Sequence, residues 1–143
     1  MPLSNIQAKQ IATLLNERNQ LTVRSTSRSV LDHSEDYIYR TSQTGNILGC
    51  VEVKRVQWYQ AEILHLTVRT DEEGNGHAKA MLAEADLAAR KFNARLLQCT
   101  IREDNTASIS LFLSCGFIQV SRFYNKVSGN NILILQKVLA SAA

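Results

Sequence analysis

Two stretches of this chain hold residues whose kinds and spacing can do chemistry. The first runs Ala61-Glu-Ile-Leu-His-Leu-Thr-Val68, continues through Asp71, Glu72 and Glu73, and reaches Gly74-Asn75-Gly76-His77-Ala78. Glycine adopts backbone angles closed to other residues and lets a ligand approach the main chain. Between a strand and a helix start, such a turn presents free N–H groups at the positive end of a helix dipole, which suits phosphate. The spacing is neither Gly-x-Gly-x-x-Gly nor a phosphate loop ending in Gly-Lys-Ser/Thr. The acidic lead-in argues mildly against a bound polyanion, although screening over ~8 Å blunts the repulsion. Alone, the turn reads equally well as a tight strand-to-helix connection. The second stretch runs from Cys99 to Phe117 and contains Asn105, Ser108, Phe112 and Gly116.

The elements around these residues follow from residue pattern. Ile63, Leu64, Leu66 and Val68 are bulky and mostly β-favouring. From Gly76 onward Ala78, Met81, Leu82, Ala85, Ala88, Ala89 and Phe92 recur at steps of three and four, one buried helical face. Asn105 or Thr106 caps a second helix to about Ser114, with Gly116 as a left-handed stop.

Together the two stretches resemble the GNAT superfamily of acetyl-CoA-dependent N-acetyltransferases. That family's signature is a strand ending in Val, then Arg/Gln-x-x-Gly-x-Gly/Ala opening a helix. An Asn, a small residue, an aromatic (often Tyr) and a Gly-Phe pair follow later at set steps. The matching positions are Val68, Glu73, Gly76, Ala78, Asn105, Ser108, Phe112, Gly116 and Phe117, and the likeness covers about residues 36–138. Glu73 departs from the usual Arg or Gln. Phe112 departs from the Tyr that often serves as general acid.

At 143 residues, one domain spanning residues 1–143 is expected. Hydrophobic residues at 45% and charged residues at 20% are ordinary for a soluble globular protein, so neither a disordered nor a fibrous class is indicated. The net charge of +3 is mild and the basic residues scattered, which gives nucleic acid little support. No apolar run is long enough to span a bilayer, and no secretory signal is visible. Cys50, Cys99 and Cys115 form no metal-type pair, and their odd number argues against a complete disulfide framework, so a reducing, cytoplasmic setting is expected.

Along the chain, Ser4 and Gln7 form a capping box for a helix to about Arg18. The polar segment 19–35 holds a short helix near Ser27 to Leu31. Strands are expected over Asp36–Thr41, Ile47–Val56, Trp58–Val68, Ala94–Ile101 (buried on both faces), Phe117–Lys126 and Asn131–Val138. The resemblance implies an α+β (mixed α/β) GNAT-type fold, one mixed twisted sheet of six to seven strands with helices on both faces. It also implies a strand before the first helix, here short, displaced or absent. The strand ending at Val68 and the strand near Cys99 would splay apart at one end, with the cofactor in that gap.

By the same resemblance, acetyl-CoA is the acetyl donor and no metal is involved. Main-chain N–H groups of Gly74, Asn75, Gly76, His77 and Ala78 would hold its pyrophosphate. Leu66 and Val68 would pair with the pantetheine arm, and Asn105 would reach it. Ser108 and Phe112 complete the cofactor residues, Phe112 stacking near the thiol. Transfer to an amine needs a base, oxyanion donors and a proton for the thiolate. Glu62 is the first base, its pKa raised by burial beside Trp58 or Leu64; the plainer reading is a strand Glu paired with Lys or Arg. His65 is the rival, placed opposite Glu62 by alternation unless a bulge intervenes. Tyr124 replaces the missing acid, ahead of Tyr59 or solvent. Cys99 and Cys115 read as small core residues. The expected activity is acetylation of a primary amine on an unidentified acceptor. A catalytically silent acyl-CoA-binding module and a cofactor-free structural or nucleic-acid-associated domain stand behind it. The apolar run Ile132-Leu-Ile-Leu135 could pair or pack across a two-fold in a homodimer.

Overall fold

A computed structural model describes residues 3–19 and 24–139. Among these, four helices and six strands follow in the order α1 (Asn5–Arg18), α2 (Ser27–Asp32), β1 (Tyr37–Thr41), β2 (Ile47–Gln57), β3 (Gln60–Val68), α3 (His77–Lys91), β4 (Leu96–Arg102), α4 (Thr106–Ser114), β5 (Ile118–Asn125) and β6 (Asn130–Val138). The fold is mixed α+β, with one six-stranded mixed sheet in the order β1-β2-β3-β4-β6-β5. The β3–β4 pair is parallel, which requires a crossover between its ends, and α3 supplies it. No helix among the described residues is long and apolar enough to cross a membrane.

Contacts divide the chain into two compact units, Met1–Val53 with His65–Ala85 and Lys54–Leu64 with Asp86–Ala143. In the first, Ser4 Oγ accepts the Gln7 N–H while Gln7 Oε1 accepts the Ser4 N–H, the expected capping box. Thr26 and Ser29 repeat the device and start α2 at Ser27. Ala8, Ile11, Leu14 and Leu15 of α1 join Val30 of α2 and Ile47 and Cys50 of β2 in one buried cluster. Gln10 Oε1 accepts the Ile47 N–H at 2.8 Å and so ties α1 to the start of β2.

In the second unit, Trp58 and Tyr59 form the turn between β2 and β3 rather than opening β3. The Tyr59 carbonyl there accepts the N–H groups of Arg95 (2.7 Å) and Leu96 (3.1 Å). β4 is buried on one face only: Leu97, Cys99 and Ile101 face inward, whereas Gln98, Thr100 and Arg102 do not. The apolar look of the segment hid an alternation carried by two polar residues and one charged one. β6 lies between β4 and β5 with both edges paired, so its apolar run cannot pair across a two-fold; the edge strands of the sheet are β1 and β5.

α4 ends where expected. Gly116 has φ +95°, a region that disfavours side chains. Its N–H bonds the Leu113 carbonyl, and the Phe117 N–H bonds the Phe112 carbonyl at 3.1 Å, which is a Schellman end. The associated apolar contact is Phe112 on Phe117, edge to face with centroids 5.0 Å apart. Phe117→Ala should therefore cost about 3–5 kcal/mol, read as a lower urea midpoint at constant slope; a change below about 1 kcal/mol would show that this contact does not hold the helix end.

Candidate active site

The first part of the site lies at the start of α3. Gly74 and Gly76 have φ +84° and +81°, and a Cβ on either would meet nothing within 4 Å. Backbone angle, not crowding, therefore requires glycine here. The Gly76 carbonyl accepts the first helical bond, from the Ala80 N–H at 3.1 Å. The N–H groups of His77, Ala78 and Lys79 thus precede the first intrahelical partner, and glycine at the cap has no side chain to satisfy them. What remains is a row of donors without intrahelical partners at a helix's positive end, an arrangement that in general suits an anion.

Each residue of the acidic lead-in has a partner. Arg18 from α1 pairs with Glu73 and also donates to Thr70 Oγ1 at 3.2 Å. Arg69 grips both oxygens of Asp71, at 3.0 and 2.5 Å, and holds its carboxyl below the usual range, chiefly through these hydrogen bonds. Glu72 meets His77 Nε2 at 3.1 Å. Arg40 Nε reaches His77 Nδ1 at 3.4 Å, which makes Nδ1 the acceptor and Nε2 the proton-bearing nitrogen that donates to Glu72. The His77 side chain is thereby committed to this network, and only its N–H faces the anion position.

Leu66 and Val68 lie half-buried on β3. The β3–β4 ladder runs from Gln60↔Leu96 to Glu62↔Gln98, while β3 continues to Val68. Leu66 and Val68 are thus outside the ladder to β4. His65 has φ +57°, a left-handed residue inside a strand. Thr67 Oγ1 donates to the His65 carbonyl at 2.9 Å and accepts from Asn19 Nδ2 at 3.0 Å, bonds that stabilise the kink. His65 Nε2 lies 3.9 Å from Glu52.

In the second unit, Glu62 is half-buried and has no cationic partner among the described residues. Its Oε1 accepts from Gln60 Nε2 at 3.2 Å and from Gln98 Nε2 at 2.7 Å. Gln98 Oε1 in turn accepts from Gln136 Nε2 at 2.6 Å, so an amide chain crosses β6, β4 and β3. Burial raises the Glu62 pKa, and the two amide bonds oppose that shift without cancelling it. Trp58 itself is 71% exposed. Asn105 caps α4, its Oδ1 accepting the Ser108 N–H at 3.2 Å, which leaves the amide NH₂ as its free donor group. Phe112 is 3% exposed and packed on Phe117. Tyr124, 59% exposed on β5, pairs with Asn131, whereas Glu62 shares its row with Gln98 and Gln136. The two rows are five residues apart on β6, about 17 Å at strand rise. Glu62 and Tyr124 are therefore not brought together. The Cys50 and Cys99 thiols are buried and pushed up to about 12, by burial first, and are inert.

Against known proteins, residues 5–117 match the model of the acetyltransferase (GNAT) family. The chain belongs to that family. No curated protein sequence matches it. Solved GNAT structures share its fold at low identity. YncA of Salmonella typhimurium, solved with its cofactor acetyl-CoA, gives a TM-score of 0.83 at 16% identity, over 100% of this chain and 94% of that one. The ribosomal-protein-S18-alanine N-acetyltransferase of Escherichia coli gives 0.76 at 18%, over 100% and 94%. Spermidine N-acetyltransferase SpeG of Vibrio cholerae, an F149A mutant, gives 0.78 at 16%, over 97% and 94%.

Within this GNAT chain, Arg18, Arg40, Gln60, Gln98 and Gln136 are the site residues that sequence reading missed. All but Gln60, which reaches Glu62 along the same strand, act through a partner remote in sequence, and none lies in either motif. Because Gln98 donates to the charged form of Glu62, Gln98→Leu should move the Glu62 titration to higher pH. Carboxyl-carbon NMR reads this directly; an unmoved or lowered midpoint would contradict the assigned balance. Ionising Glu62 also costs folded-state stability. That cost is absent below the ordinary Glu pKa and sets in as pH rises through the raised one.

Proposed function

We propose that this GNAT chain, residues 1–143 acting together, transfers an acetyl group from acetyl-CoA to a primary amine of its acceptor by direct attack. The observation that carries the reading is the start of α3, where the first N–H groups have no intrahelical partner while Asp71 and Glu73 are each paired with an arginine and Glu72 accepts from His77. Those donors would hold the CoA diphosphate, with Gly74, Asn75, Gly76, His77 and Ala78 contributing main-chain groups. Bound acetyl-CoA supplies an activated thioester. Leu66, Val68 and the Asn105 amide would position its arm. Ser108, committed through its N–H to the α4 cap, would act only through that helix start.

Glu62 is the proposed base. Its two amide bonds fall on Oε1, which leaves Oε2 to accept the amine proton, and a raised pKa suits that task. Tyr124 stands about 17 Å along β6 from the Glu62 row, so of the two proposed proton donors solvent is favoured over Tyr124; a thiolate of pKa near ~8.5 needs only modest help. A cytoplasmic setting fits the three free cysteines. The acceptors printed for structural neighbours, a ribosomal-protein alanine and spermidine, differ in kind and do not choose one for this chain.

Phe112, buried and without a hydroxyl, favours a second reading, a CoA-binding module that does not turn over. Glu62→Gln separates the two. In an active enzyme it should lower kcat/KM by about 10²–10⁴-fold with CoA affinity unchanged. The parent rate should rise with pH through the elevated Glu62 pKa, and this limb should vanish in the variant. Unchanged turnover removes Glu62 as base. Tight CoA binding with no thiol release across a broad amine panel establishes the silent module.

A further inference from the structure

The amide chain that ends on Glu62 has a direction, and its far end is Gln136. Glu62 and Gln98 are register partners, as are Gln98 and Gln136, so the three side chains share one row on one face of the sheet. All three are half-buried. At the usual strand spacing the Gln136 backbone stands two strands, about 10 Å, from that of Glu62. On β5 the row continues with Ile118, whose side chain offers no hydrogen bond, so the chain begins at Gln136.

A carboxamide donates at one end and accepts at the other, whereas an ionised carboxylate only accepts. Ionised Glu62 therefore takes the Gln98 nitrogen, which turns the Gln98 oxygen toward β6. There Gln136 Nε2 donates to it, and both ends of the Gln98 amide are held. Gln60 donates to the same Glu62 oxygen from along β3. A glutamine held at one end only keeps more rotamer freedom and spends part of its time elsewhere. Gln98 is thus a full-time donor to Glu62 only while Gln136 anchors it.

The charged groups on the elements around Glu62 are engaged elsewhere or exposed. On β2, Arg55 donates to the Trp58 carbonyl at 3.3 Å and lies over the Phe92 ring, and Lys54 is exposed. On β4, Arg102 pairs with Asp104, and burial and then the Glu62 charge keep the Cys99 thiol protonated. On β6, Lys137 pairs with Asp86 of α3 at 2.8 Å. None of these forms an ion pair with Glu62. Burial raises the Glu62 pKa, and only the Gln60 and Gln98 bonds oppose it. The hold on Gln98 is therefore a control on this carboxylate.

We propose that Gln136 is a positioning residue for the base: by anchoring Gln98 it commits Glu62 Oε1 to amides and leaves Oε2 for the amine proton. Its catalytic consequence rests on the reading of Glu62 as base given above.

Carboxyl-carbon NMR of the full chain, without CoA or acceptor, tests it. Gln136→Met removes the anchor and adds no charge. It should raise the Glu62 midpoint by about half a pH unit, in the direction of Gln98→Leu and by less. In a Gln98→Leu background the same change should add nothing. Gln136→Glu offers only an acceptor and should turn Gln98 round, raising the midpoint further. Its smaller effect in the Gln98→Leu background measures the added charge alone. Thr100→Val, one row along β4, should leave the midpoint in place. Circular dichroism verifies that each variant is folded. A midpoint that Gln136→Met leaves unmoved or lowers, or a rise that persists in full without Gln98, overturns the proposal and makes Gln136 a sheet residue only. The pH profile of kcat/KM with acetyl-CoA and an amine panel reports separately on the base reading: a limb that stays put while the NMR midpoint moves removes Glu62 as base and leaves the anchor standing.

Discussion

The constraint on which the rest depends is that a helix cannot satisfy its own first N–H groups. At the start of α3 these donors follow two glycines held at positive φ, and the cap residue has no side chain to cover them. Anion binding there would fail if nearby carboxylates competed for the same donors. Arg18, Arg69 and His77 prevent that by engaging Glu73, Asp71 and Glu72 in turn. Individually such exposed pairs contribute little stability. Their effect is to give each negative side chain a partner other than the helix N–H groups.

Two carboxylates show how environment separates roles. Glu62 is half-buried and receives two amide hydrogen bonds on one oxygen. Burial raises its pKa above that of an ordinary carboxylate, the direction that suits a base. Glu52 is more deeply buried and meets His65 Nε2 at 3.9 Å instead. The first arrangement suits proton transfer. Residue type alone would not distinguish them; neighbouring side chains on adjacent strands do.

Much of this was legible in the sequence because it is local. The capping box at Ser4, the period of α3, the cap at Asn105 and the stop at Gly116 each depend on residues within one or two turns, and the short helix near Ser27 is as local. The misreadings were of two kinds. Trp58 and Tyr59 look like strand residues by propensity, but the two-residue link between β2 and β3 needs them as a turn. β4 looked buried on both faces because Leu96 joins the apolar set and masks Gln98, Thr100 and Arg102. Two neighbours were invisible for another reason: Arg18 and Gln98 each meet a partner over thirty positions away. The kink at His65 leaves no mark in an uninterrupted run of β-favouring residues. Phe112 stands in a motif position usually read as chemical, yet here it supplies the apolar half of a helix end.

The most direct measurement is an amide NMR titration of the intact chain with CoA. The donor row at the start of α3 should respond first and most, with the largest shifts at Gly74, Asn75, Gly76, His77 and Ala78 and little change at Gln98 or Gln136. Saturable CoA binding that leaves those five amides unmoved, or no binding at millimolar CoA, would contradict the role assigned to that helix start.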